Sequence, residues 1–169
     1  MFEKEIEILK HLNKYKIEIG VISENDGRDD KISIGLTNAQ LMQIHENGSP
    51  TKNIPARPIL DITIKWAEKI LMPKTLDKII EGVFNYNWTI SDIEKTLEIM
   101  CNRMQNYAFE TIYDNTGVLQ ANSKKTSEIK AEKARRLGNS PTGNPPGNHP
   151  LFDTGQLAKS ITCRLVKNN

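Results

Sequence analysis

The feature that most constrains this chain is a stripe of apolar residues holding one face of a helix for about seven turns. Ile93, Leu97, Met100, Met104, Ala108 and Ile112 recur at intervals of three and four residues. A helix from about Thr89 to Tyr113 carries them all to one side. Thr89 and Asp92 have the spacing of a capping box, with Asp in place of the longer Glu or Gln. Trp88 and Ile93 stand where a hydrophobic staple would close over that start. A helix this long normally forms the spine of a layered α+β fold.

The layer packed on it has to come from segments of period two. Ile17, Ile19 and Val21 alternate with polar residues or glycine, and so do Ile32, Ile34 and Leu36. Between them runs the polar loop Glu24 to Asp30, with Asp26-Gly27 as a turn signal. These runs predict a β-hairpin, and Thr162 to Val166 predicts a C-terminal strand. The fold class is therefore α+β: a small antiparallel sheet packed on a long helix, with an extended basic arm and a Pro/Gly-rich linker. Shorter helices are expected over Phe2–Asn13, from Thr37 to the Asn47-Gly48 stop, over Ile59–Met72, and around Leu76 to Val83. Pro73 is expected to end the Ile59–Met72 helix, because proline lacks an N–H and clashes with the preceding turn. The chain divides into an α+β core (1–121), a basic arm with linker (122–150), and a helix–strand segment returning to the core (151–169).

Hydrophobic residues make up 37% of the 169 and aromatics 6%, low enough that part of the chain is expected to be extended, solvated or buried only against other subunits. Charge is segregated. Residues 122–169 hold nine Lys/Arg against three Asp/Glu, while the first 121 carry a net −4. A basic third on an acidic body points to a polyanion or an acidic neighbour. No apolar run approaches the roughly 20 residues of a membrane span, so no membrane contact is expected. The opening MFEKEIEILK lacks the apolar core of a signal peptide. Cys101 and Cys163, 62 residues apart with no CxxC, fit a reducing compartment rather than a disulfide scaffold or zinc site.

Catalytic constellations are sparse. Asp153-Thr154-Gly155 has the form of an aspartic-protease triplet. That chemistry needs two such loops sharing a proton inside a β-barrel, and only fourteen residues follow Gly155. Asp153 or Thr154 capping a short helix at Gly155 is the better reading. His11, His45 and His149 have no metal-ligand spacing; His45 reads as half-buried on its helix, and Cys101 as a small buried hydrophobe. No glycine-rich phosphate loop is present. The chain is expected to be neither an enzyme nor a holder of cofactor or metal. Lys124, Lys125, Lys130, Lys133, Arg135 and Arg136 form a basic segment without interleaved aromatics. It suits phosphate contact but not base stacking, and a DNA-binding module using residues 124–136 is the alternative function. Arg57, between Pro55 and Pro58, is held on stiff backbone, and a bidentate carboxylate is its expected partner at a loop or subunit contact.

Three motifs occur in order: Glu46-x-Gly48; Ile54-Pro55-Ala56-Arg57-Pro58 with Leu60; and Pro150-Leu151-Phe152-Asp153-Thr154-Gly155-Gln156-Leu157 with Ser160-Ile161. A weaker one, Asn122-Ser123-x-x-Thr126-x-x-x-Lys130, lies between them. Together they resemble the tailed-phage virion morphogenesis or tail-completion family, the Mu G-like proteins and their lambdoid-phage relatives. Ile59 and Phe152 depart from the residues usual there, as does the Pro/Gly-rich linker. The resemblance implies a structural subunit of a homo-oligomeric head–tail neck or tail-completion ring. It would be assembled in the host cytoplasm and located at the head–tail junction or proximal tail end. Its partners would be other neck, connector or tail proteins, with non-specific contact to packaged DNA possible. The implied assembly residues are Glu46, Gly48, Ile54, Pro55, Ala56, Arg57, Pro58, Asp153, Thr154, Gly155, Leu157 and Ser160.

Overall fold

The computed structural model describes residues 2–27, 35–113, 118–136, 151 and 155–168. Its elements in order are α1 (Glu3–Lys10), β1 (Tyr15–Val21), α2 (Asn38–Asn47), α3 (Ile59–Trp66), α4 (Met72–Tyr86), α5 (Ile90–Tyr113), α6 (Lys124–Arg136), α7 (Gln156–Ser160) and β2 (Ile161–Lys167). Among the described residues the sheet has two antiparallel strands, β1 beside β2. The expected α+β class, with the long helix against the sheet, is what the chain adopts. The chain forms two compact units, residues 1–19, 62–106 and 163–169 in one, and 20–61 and 107–162 in the other.

In the first unit, the α5 stripe is buried at Ile93, Leu97, Met100 and Met104. Met100, Cys101 and Met104 pack with Ala67, Leu71 and Cys163, and with Ile17, Ile19 and Leu165 from the strands. The two cysteines, far apart in sequence, thus share one cluster as free thiols. The Cys163 thiol is pushed up by its hydrogen bond to Cys101 and by burial. A second cluster joins Ile79, Val83, Ile93 and Leu97 with Leu9, Leu12 and Trp88. Trp88 and Ile93 share it, as the staple reading requires. The cap itself is only half a box: the Thr89 N–H and Oγ1 both donate to Asp92 Oδ2, at 2.9 and 2.7 Å. On β2, Arg164 reaches across to Glu18 of β1 through Nε and Nη2, at 3.2 and 3.0 Å. This exposed pair orients the strands more than it stabilises them.

One expectation changes. Pro73 does not end its helix. The chain widens into a single π-turn over Ala67–Leu71 and continues as α4, with Pro73 in the first turn of that element. A proline mid-helix leaves the carbonyl four residues back without a donor, and a π-turn is a common way to re-register the ladder around it. Thr75 Oγ1 donates to the Leu71 carbonyl at 2.8 Å within the same stretch. The second run of the expected hairpin falls largely outside the described residues. β1 pairs with β2, the described end of the second run (Gly35 and Leu36) is not strand, and Ile32 and Ile34 lie outside the described residues.

The end of α4 shows why one glycine is required. Asn87 turns left-handed at φ 53°, and the Trp88 N–H returns to the Gly82 carbonyl at 3.1 Å, closing a Schellman-type end. This lays the Trp88 indole on Gly82 so closely that a Cβ there would collide with the ring. Glycine-to-alanine within a helix normally stabilises by up to about 1 kcal/mol. Here Gly82→Ala should instead destabilise by roughly 1–3 kcal/mol through overpacking, read as a lower urea midpoint.

Candidate functional site

The site lies within the second unit and begins at the N-terminus of α2. Thr37 and Gln40 form a reciprocal capping box there. The loop before it is anchored as well: Asp26 Oδ1 accepts from the Ala39 N–H at 2.6 Å, and the buried Asn38 side chain donates to the Asn25 and Gly27 carbonyls. Asp26 and Gly27 therefore hold the start of α2.

At its other end α2 stops at Gly48, with φ 70° and ψ −179°, a backbone region open essentially to glycine alone. A Cβ at Gly48 would lie 2.8 Å from the Ala56 nitrogen and 2.9 Å from the Ile54 oxygen, both main-chain atoms that cannot swing aside. The tight approach lets Ser49 and Ile54 exchange two main-chain hydrogen bonds, at 2.8 and 3.0 Å. The Pro50–Asn53 turn is closed in this way, and the Ile54-Pro55-Ala56-Arg57-Pro58 run is directed back along α2.

Two side chains then lock the loop. The Glu46 carboxylate reaches the start of α3, where Oε1 accepts from the Leu60 N–H at 2.6 Å and the Asp61 and Ile59 N–H groups also bond to it. An α-helix leaves its first N–H groups unpaired, and Glu46 supplies the acceptor from another helix. Burial pushes the Glu46 carboxyl up, against the opposing pull of those N–H groups. Arg57 is 6% exposed. Its main-chain N–H donates to the His45 carbonyl at 2.6 Å. Its guanidinium donates from Nε to the Gln120 carbonyl at 2.8 Å, and from Nη2 to the Ala121 carbonyl and Asn122 Oδ1, at 3.2 and 3.3 Å. The stiff, directed Arg57 is present, but these acceptors are neutral oxygens rather than the expected carboxylate. Burial pulls its pKa down from the usual value.

Around Arg57 opens a cleft of about 680 Å³. Of the expected assembly residues, Ile54, Pro55, Arg57, Gly155 and Leu157 line it, with Lys125 and Lys130 from the basic segment and Asn122, Ser123 and Thr126 from the weaker motif. Ser123 starts α6 by accepting from the Thr126 N–H at 3.2 Å. Gly155, at φ 76°, starts α7 without a side-chain cap; Asp153 and Thr154, the expected caps, lie outside the described residues. Ser160 is buried and donates to the Leu157 carbonyl at 2.7 Å, and α7 packs on α2. Gly48 and Ala56 form the turn beside the cleft, Pro58 precedes α3, and Lys124, Lys133, Arg135 and Arg136 are not among the lining residues. Leu41, Lys52 and Asn53 also line the cleft. Sequence reasoning passed over them because nothing local marks a loop lysine as facing a cavity. Among the described residues no three of His, Cys, Asp and Glu gather closely enough to hold a metal ion, and no helix is long and apolar enough to cross a membrane.

No family model, no curated protein and no solved structure matches the chain.

His45 lines the same cleft. Its Nδ1 is buried without a hydrogen-bond partner among the described residues. Burial, then the charges of Arg57 and Lys130, pull its pKa from the usual 6.5 down to about 4. The folded value is below the unfolded one, so its stability contribution is complete above pH 6.5 and is lost as pH falls towards 4. The loss should amount to about 3 kcal/mol. Neighbouring Glu46 has the opposite sign: its raised pKa favours the fold at low pH. Urea titrations of the protein and of His45→Gln from neutral to acid pH separate the two. The variant should lose the His45 slope and keep the rest.

Arg57→Lys keeps the charge but not the fork. It leaves at least one of the 120–122 oxygens unsatisfied and should cost roughly 1–3 kcal/mol, measured as a lower denaturation midpoint.

Proposed function

We propose that this chain is a structural virion protein, a subunit of a head–tail neck or tail-completion ring in a tailed phage or prophage. The observation that carries this reading is the engagement of the very segments that bear the resemblance. Glu46 caps the helix following the Pro-Ala-Arg-Pro run, Arg57 holds residues 120–122, and Ile54, Asn122, Gly155 and Leu157 share one cleft. Residues with a common structural task are what a family signature marks, and this shared task supports the reading. The roles are architectural: a carboxylate on helix N–H groups and a guanidinium on main-chain oxygens. They support assembly rather than turnover.

The surface of the first unit supports a chain built for neighbours. Phe2, Ile6, Ile80 and Phe84 are each more than 40% exposed, with Phe2 edge-on to Phe84. A ring needs heterologous contacts that close on themselves, and exposed apolar side chains suit them.

The DNA-binding alternative rests on α6 and its six cations. Arg135 and Arg136 both pair with Glu132, at 3.2 and 3.1 Å, so part of that charge is already balanced. A steep loss of duplex affinity with salt would favour it.

Removing the protein from its phage should leave unjoined heads and tails or unfinished tails in electron micrographs. The assembled protein should weigh a whole-number multiple of the 19.2 kDa subunit. Normal yields of infectious particles without it would overturn the reading.

A further inference from the structure

The walls of the Arg57 cleft differ from its rim. Leu41, Ile54, Pro55 and Leu157 line it with aliphatic surface, while Lys52 and Lys125 are exposed cations on two different segments, the Pro50–Asn53 turn and the first turn of α6. No Phe, Tyr or Trp and no carboxylate is among the described lining residues. We propose that this cleft is a docking site for a short peptide segment of a neighbouring protein, one that presents carboxylates beside aliphatic side chains. The proposal goes beyond the neck reading, since such a site can serve any assembly.

Charge selects an anion. Lys52 and Lys125 act on any group in the cleft from within about one Debye length of 8–10 Å. The N-terminal turn of the thirteen-residue α6 adds its partial positive charge on the same side. Shape and apolarity select a peptide. A bare phosphate or a phosphodiester backbone would leave the aliphatic wall in water, whereas Leu, Ile or Val side chains would dry it. Nucleic acid without base stacking needs an extended backbone track. A concavity of 680 Å³ instead matches the few-hundred to about 1,000 Å³ of a compact ligand site.

The test uses the full chain and fluorescence polarisation with labelled probes: a peptide of alternating Glu and Leu, its Gln/Leu counterpart, the Glu/Leu peptide with an amidated C-terminus, and a duplex DNA oligonucleotide. The Glu/Leu peptide should bind, and the Gln/Leu peptide should bind about tenfold more weakly. The double variant Lys52→Glu/Lys125→Glu should weaken Glu/Leu binding by at least about tenfold with an unchanged melting temperature, because both side chains are exposed. Affinity retained on amidation assigns the recognised anion to side-chain carboxylates; affinity lost on amidation assigns it to a terminal carboxylate. No binding of the Glu/Leu peptide, binding insensitive to the double variant, or variant-sensitive binding of DNA in place of peptide each overturns the proposal. None of these readouts uses virion assembly, so a failure here leaves the neck reading standing.

Discussion

A buried guanidinium committed to main-chain oxygens is the constraint on which the second unit depends. Arg57 carries a positive charge into a site that is 6% exposed, where a cation is costly unless every donor is used. Two of its acceptors are the Gln120 and Ala121 main-chain carbonyls, which cannot be supplied by a change of rotamer elsewhere. Residues 120–122 must therefore pass at one distance and angle from the Pro-Ala-Arg-Pro run. The Arg57 N–H in turn is tied to the last turn of α2, and Glu46 one residue on from His45 holds the first turn of α3. Gly48 makes this possible by letting the two main chains approach more closely than any Cβ would allow. Each interaction presupposes the others, so the cleft is a consequence of how the loop is fastened.

The first unit is organised by packing instead. Its helices carry irregularities that look like breaks in the sequence but are absorbed by geometry. A π-turn accommodates Pro73, and a left-handed Asn87 folds Trp88 back over Gly82. Both devices keep apolar stripes in register with their clusters. Register matters more here than ideal hydrogen bonding: a stripe rotated out of its cluster loses the burial of several large side chains, at about 1.5–3 kcal/mol each, against about 1 kcal/mol for a hydrogen bond.

Much of the fold was legible because its signals are local. The α5 stripe, the start at Thr89, the stop at Gly48 and the terminal strand all follow from periodicity and turn chemistry within a few residues; the helix over Lys124–Arg136 does not, because that stretch reads as a basic arm without a core-facing stripe. The misreadings arose where local chemistry admits two outcomes. Pro73 is a helix breaker unless a wider turn is available. The Asp26-Gly27 pair, a turn signal in the sequence, also gives Asp26 to the Ala39 N–H at the start of α2. In the site, Arg57 stood out because flanking prolines signal a directed side chain, but its acceptors could not be read, since backbone carbonyls exist at every residue.

The amino-acid sequence by itself determined which stretches are helical, which faces are apolar, where Gly48 and Gly82 stand, and that a directed cation lies at Arg57. Propensity, periodicity and backbone freedom are properties of a few neighbouring residues. Only the tertiary structure decided that β1 pairs with β2, that Glu46 serves α3, that Cys101 and Cys163 share a cluster, and that Lys52 and Lys125 look into one cleft. Those are choices among partners tens of residues apart. They are made by closing loops and excluding water together, which no local pattern encodes.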